Sequence, residues 1–154
     1  MADKGDEKRV LLRNRKARHD YLLEETFEAG LVLQGSEVKS LRESQGSLLD
    51  AYGDARGNEL WLVGAKVNPY PWANQFNHDP ERPRKLLLKR PEIKRIIAKI
   101  RERGMTLVPT EIYVRRGKIK VELALARGRQ EYEKRNAKRE REAEKEIDEA
   151  RGKR

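Results

Sequence analysis

The sequence predicts a mainly β protein, a small six-stranded antiparallel barrel of OB-like shape with two to three short helices and a charged C-terminal tail. Three observations carry this reading. Short apolar runs recur between glycine-containing connections from Tyr21 to Ala126. "RRGK", Arg115 to Lys118, joins the last two runs as a tight hairpin in which Gly117 can take a positive φ. In "KIKVELALA" the residues alternate, with Ile119, Val121, Leu123 and Leu125 on a core side and Lys118, Lys120 and Glu122 on a wet, basic one.

Taken in order, residues 1–9 are polar and read as a flexible leader, 10–127 as the barrel with its flanking helices, and 128–154 as the tail. "RNRKARHDY", Arg13 to Tyr21, precedes the first apolar run. It is either a solvated arm or a basic edge on which Arg13, Arg15, Lys16 and Arg18 hold phosphates while Asn14 and His19 reach ribose or base. The six strand candidates are Tyr21–Phe27, Ala29–Leu33, "LLDAYGDA", "ELWLVGAKV", "MTLVPTEIYV" and "KIKVELALA".

After Leu33, Gly35 turns the chain into a short helix, "SEVKSLRES", with Ser36 as N-cap and Val38 and Leu41 on the buried side. "NHDP", Asn77 to Pro80, reads as a turn bent by Asp79. "PEIKRIIAKIRERG" is the strongest helix. Pro91 suits its first turn, Ile93, Ile96, Ile97 and Ile100 form a stripe, and Gly104 ends it.

"RPRKLLLKRP", Arg82 to Pro91, frames three leucines with bases. In a strand Leu86 and Leu88 share one side and Leu87 takes the other, so either irregular backbone buries all three or Leu87 is exposed beside Arg84 and Lys85. The exposed form offers an apolar contact to an unstacked base between phosphate-binding charges. Glu28 is either an ordinary surface carboxylate or an acceptor for the pairing-edge donors of a looped-out guanine or cytosine.

From Arg127 to Arg154 the chain holds 11 bases, 8 acids and almost no apolar residues. Pairs such as Glu131 with Arg135 or Lys145 with Glu149 suit a helix but contribute only about 0.2 to 0.5 kcal/mol each, so the tail is expected to be disordered or to become helical on binding.

Composition narrows the function. A formal net charge of +10 on 154 residues favours a polyanionic partner, nucleic acid first. The absence of cysteine removes disulfides, thiolate zinc sites and cysteine nucleophiles. With neither a signal peptide nor a membrane span in view, a cytoplasmic protein without membrane contact is expected. An RNA-processing enzyme would have to draw on His19, Asp20, Glu24, Glu25 and Glu28, but no metal-ligand spacing, phosphate loop or nucleophile motif accompanies them. The enzyme reading is therefore weak, no metal or cofactor is expected, and the alternatives are a general RNA-binding barrel or, less favoured, an RNA-processing enzyme; the resemblance below implies a protein without catalytic residues.

"ARHDYLLEETFEAGLVLQGSEVKSLRES", "NHDPERPRKLLLKRPEI" and "KIKVELALARGRQEYEKR", in this order, resemble the SmpB family, the SsrA-binding proteins of bacteria. The resemblance implies an OB-like barrel that binds the tRNA-like domain of tmRNA and delivers it to ribosomes stalled without a stop codon. Trans-translation, rescue and tagging follow, with the protein standing in for a missing anticodon arm. It implies RNA contacts at Asn14, Glu28, Leu87 and Lys120, with Arg18, Arg84, Lys85 and Lys118 beside them; His19 is added to this set from the reading of the basic run above. It implies ribosome contacts from the tail at Gly128, Arg129, Tyr132, Lys134, Arg135, Lys138 and Arg139, in the decoding centre and mRNA channel of the 30S subunit and 70S ribosome. Elongation factor Tu and alanyl-tRNA synthetase would be met indirectly, through alanylated tmRNA, and the protein would be monomeric on tmRNA. This chain carries "GRQ" where many members have "GKK", so Arg129 keeps one charge and Gln130 loses one.

Overall fold

The computed structural model describes residues 7–73, 77–128, 141–143 and 145. Nine strands are found among these residues: β1 (Arg9–Arg13), β2 (Tyr21–Leu31), β3 (Gly46–Ser47), β4 (Tyr52–Arg56), β5 (Glu59–Val63), β6 (Lys66–Val67), β7 (Arg84–Leu87), β8 (Thr106–Arg115) and β9 (Lys118–Gly128). Helices α1 (Arg15–Asp20), α2 (Gly35–Arg42) and α3 (Arg90–Arg103) connect them, and residues 141–143 and 145 are helical and exposed.

Six strands form a near-closed antiparallel ring in the order β8-β4-β5-β7-β2-β9, with β9 pairing back onto β8. β1 adds to β8, and β3 with β6 makes a separate two-residue ladder. The ring has the expected number of strands but not the expected members. The runs Tyr21–Phe27 and Ala29–Leu33 are one strand, β2, ending at Leu31, and the vacated place belongs to β7 in the leucine-rich segment. "ELWLVGAKV" is two strands, broken where Gly64 takes φ 79°.

Strand alternation sorts the two faces. Phe27 and Ala29 of β2, Leu60 and Leu62 of β5 and Val121, Leu123 and Leu125 of β9 point into the ring, while Glu28 and Lys118 stay outside. At about 25 cal/mol per Å² of apolar surface, this burial is the main term holding the ring together. The β8–β9 hairpin forms as expected, with Arg116 at φ 52° and Gly117 at φ 74° in a two-residue turn between the paired Arg115 and Lys118. α3 also has its expected ends, with Pro91 in the first turn and Gly104 at φ 64°. Its Ile96 and Ile97 are buried, and Ile93 and Ile100 pack against the same core.

Closure is narrowest between β4 and β8, where Gly53 faces Leu107 in a single pair. A Cβ at Gly53 would lie 2.3 Å from Leu107 Cδ2, so only glycine lets the two strands meet.

The outer face of β9 is not uniformly wet. Ala124 and Ala126 are buried with Val108 under Ala17 of α1, in a small second cluster flanked by Tyr21 and Leu23. The polar stretch therefore begins only at Glu122, and its bases are Lys120 and Lys118. Pro109 sits at a register shift in the middle of β8, where a missing N–H is tolerated.

α2 is capped differently from the expectation. Gln34 is its N-cap and Glu37 reaches back, Oε1 accepting the Gln34 N–H at 2.8 Å. Ser36 is instead bonded through its hydroxyl to His78 Nδ1 at 2.8 Å. In the "NHDP" turn Asp79 Oδ1 accepts the Glu81 N–H at 3.0 Å, as a bent turn requires.

Candidate nucleic-acid interface

One row of paired residues crosses the outer wall through four strands: Leu87 on β7 faces Gly30 on β2, Gly30 faces Lys120 on β9, and Lys120 faces Tyr113 on β8. Residues in one row point to the same side of a sheet. Leu87 is 50% exposed while Leu86 is 1% exposed, so the strand form separates the three leucines and presents the middle one to solvent. Gly30 leaves a gap in the row. A Cβ there would meet Leu87 Cβ at 3.4 Å, and a larger side chain would fill the groove between Leu87 and Lys120. That groove is bordered by Leu33, Val38, Arg42 and Lys118.

Beside it lies a cationic pocket lined by Arg115, Arg116, Lys118 and Lys120, with Glu28 as its one carboxylate. Glu28 Oε2 accepts from the Tyr113 hydroxyl and from Arg115 Nη1, the latter at 2.8 Å. Burial, and after it the bond to Glu28, pushes the Tyr113 phenol well above its ordinary value, so the hydroxyl remains a donor. Lys8 Nζ lies 4.7 Å and the Arg115 guanidinium carbon 5.5 Å from the centre of the Tyr113 ring. Chemically, the wall offers an apolar ridge, a recess, four cations and one oriented acceptor. That combination suits an unstacked base framed by phosphates.

Lys85 is half-buried on β7, with Nζ 3.1 Å from Glu59 Oε1, and it borders a second groove on the other flank of Leu87 together with Asn58 and Arg90. Arg84 does not belong to the surface. It is 1% exposed, its Nε donates to Glu37 Oε2, its Nη1 donates to Ala65 O at 2.9 Å and its Nη2 to Pro80 O at 3.1 Å. A guanidinium spent on such partners in the interior has no face left for phosphate, so Arg84 is a core ion-pair residue. Glu37 is itself fully buried, and Arg82 donates to its other oxygen. Burial disfavours its charge, but the bonds from Arg82, the Gln34 N–H and Arg84 overcome that and hold its carboxyl below the usual range.

Asn14 is also committed to the fold. It is the N-cap of α1, its Oδ1 accepting the Ala17 N–H at 3.2 Å and its Nδ2 donating to Pro109 O at 2.9 Å, beside a 2.8 Å bond from its own N–H to Thr110 O. These bonds tie α1 to the register shift of β8. The basic run is thus neither an arm nor a lead-in to the first strand. It is the end of β1 followed by α1, with Arg15, Lys16, Arg18 and His19 exposed.

α1 covers Ala124 and Ala126, so Arg18 and His19 share the outer wall with Leu87 but stand at its other end. At about 3.3 Å per residue, Lys120 and Ala126 are roughly 20 Å apart along β9. Gly128, paired with Tyr21, ends β9 at that far end. Its Cβ would meet nothing, so packing does not require glycine there. Arg129, Tyr132, Lys134, Arg135, Lys138 and Arg139 lie outside the described residues, as do Glu131 and Glu149, the expected partners of Arg135 and Lys145.

The acid-base candidates do not converge. His19 Nδ1 is 3.0 Å from Asp20 Oδ1, Glu24 Oε1 3.1 Å from Arg127 Nε, Glu25 Oε1 2.9 Å from Arg95 Nε, and Glu28 belongs to the Tyr113 and Arg115 cluster. Among the described residues no group of three or more His, Asp or Glu side chains could hold a metal ion, and no helix is long and apolar enough to cross a membrane. Sequence reasoning missed Gly30, Tyr113 and Arg115. A lone glycine inside a strand pattern was the available signal for Gly30; the other two depend on pairings between distant strands.

Comparison with known proteins places the chain in context. A family model described as SmpB protein matches residues 11–153. The chain is 50% identical over 143 residues to the SsrA-binding protein of Acetivibrio thermocellus, covering 93% of each chain. It is 50% identical over 148 residues to the SsrA-binding protein of Thermobifida fusca, covering 96% of this chain and 92% of that one. A solved structure described as "tmRNA-SmpB: a journey to the center of the bacterial ribosome" is 46% identical with a TM-score of 0.64, covering 76% of this chain and 82% of that chain.

Proposed function

The chain belongs to the SmpB family, and from that premise we propose that it is an SsrA-binding protein of trans-translation. Its near-closed ring is an OB-like barrel that binds the tRNA-like domain of tmRNA and brings it to ribosomes stalled on message without a stop codon. The protein binds and positions RNA and performs no chemistry itself. The observation that carries this reading is the row from an exposed Leu87 across Gly30 to Lys120, adjoining a cationic pocket with a single oriented carboxylate, Glu28.

In this reading Leu87 packs on an unstacked base, Lys118, Lys120 and Lys85 hold flanking phosphates, and Glu28 accepts donors from a base edge. Arg18 and His19 extend the same RNA surface from α1. Asn14 contributes by fixing α1 to β8, and Arg84 by holding α2 to the ring. The tail from Gly128 onward, including Arg129, Tyr132, Lys134, Arg135, Lys138 and Arg139, engages the decoding centre and mRNA channel of the 30S subunit within the 70S ribosome. A cytoplasmic protein, monomeric on tmRNA, would meet elongation factor Tu and alanyl-tRNA synthetase only through alanylated tmRNA.

The test is Leu87→Asp. An exposed side chain contributes little to the core, so the melting temperature should stay within about 2 °C of the parent. Affinity for tmRNA at physiological salt should fall at least about tenfold, because a carboxylate replaces the apolar ridge among phosphates. Unchanged affinity would remove this face from the interface. Equal affinity of the parent for tmRNA and for unrelated RNA would favour a general RNA-binding barrel instead.

A further inference from the structure

We infer that Tyr113 and Arg115 are positioning residues for Glu28, and that they set the orientation in which its carboxylate meets RNA. The inference rests on Glu28 being an RNA contact, as proposed above, and adds what makes that contact selective.

Glu28 sits on β2 and is about two-fifths exposed, with a side-chain relative area of 41%. A half-exposed glutamate on a strand would sample several rotamers, and each of its three side-chain torsions must be fixed before it can read a base edge. Here two donors from β8 reach over β9 and converge on one oxygen. The Tyr113 hydroxyl and Arg115 Nη1 both bond Oε2, which fixes the plane of the carboxylate.

Tyr113 cannot serve the RNA directly. The residue is 3% exposed, its ring lies beneath Lys8 and Arg115, and its hydroxyl is given to Glu28. Arg115 has a further effect, since its charge offsets the carboxylate that would otherwise repel phosphate from the pocket it shares with Lys118 and Lys120. Thr110 and Glu122, bonded at 2.5 Å on the neighbouring row, keep the next carboxylate out of that pocket.

The experiment is a double-mutant cycle on the full chain, with tmRNA affinity and thermal melting measured for Glu28→Ala, Tyr113→Phe and the pair. Tyr113→Phe keeps the ring and the charge, so a role confined to packing would lower both backgrounds equally. The expected result is a loss of about tenfold in affinity with Glu28 present and no further loss when Glu28 is already alanine. Equal losses in the two backgrounds, or no loss in either, overturn the inference. If Tyr113→Phe melts early, Arg115→Lys supplies the same cycle, keeping the charge while losing the fork that reaches Oε2. Glu28→Ala binding as well as the parent overturns the premise together with the inference. A loss in Glu28→Ala without coupling to Tyr113 leaves the premise and removes only the positioning role.

Discussion

Glu37 shows how much one residue can hold. Fully buried at the start of α2, it receives Arg82, Arg84 and the Gln34 N–H, and so joins the helix to the loop before β7 and to β7 itself. Glu37→Gln would leave the Arg84 guanidinium buried without its counter-charge, and the expected cost is about 3 to 5 kcal/mol in urea unfolding. Because its folded pKa lies below the unfolded value near 4.5, this carboxylate's contribution is complete above that pH and is lost as pH falls through the folded value. Unfolding followed from neutral to acid pH should show that decline in the parent and a shallower one in Glu37→Gln. Arg84 explains why a basic run misleads a reader of sequence. Its charge is visible in the chain, but the partner that takes it inward stands 47 residues earlier. Leu87 was legible as an alternative because strand periodicity alone separates it from Leu86. Asn14 was legible as a polar residue in a basic run, and its cap role depends on β8.

Among the elements, those built from local signals emerged as expected. The β8–β9 hairpin follows from Gly117, α3 from Pro91, its isoleucine stripe and Gly104. β1 and β7 were not expected, since each is short and is a strand only by virtue of distant partners, Arg9 opposite Val114 in one case and Leu87 opposite Gly30 in the other. The junction of β4 with β8 is the most restrictive element contact. Gly53→Ala would drive a methyl group into Leu107, at a cost of about 1 to 3 kcal/mol. A lowered melting temperature with secondary structure retained by circular dichroism is the expected outcome; a parent-like melt would mean that β4 can shift freely against β8.

On the scale of the whole molecule, the row through Leu87 and Lys120 and the end of β9 occupy opposite ends of one wall, Lys120 opposite Gly30 at one end and Gly128 opposite Tyr21 at the other. The proposed division of labour follows that layout. A chain ending at Gly128 keeps every strand of the ring, so it should bind tmRNA within about twofold of the parent and fail to support tagging in a reconstituted stalled-translation assay. Normal tagging by the shortened chain would contradict the role assigned to the tail. The sequence conveyed both ends of this plan as patches of charge. It could not convey their separation, which exists only once β2 and β9 lie side by side.

That pairing makes the ladder of β2 and β9 a ruler. From Lys120 to Gly128 it measures roughly 25 Å at about 3.3 Å per step, a span set by strand length rather than by any flexible joint. Adding two residues to both strands would lengthen the reach and leave each side chain on its own face. Adding one would turn Lys120 toward the leucines within.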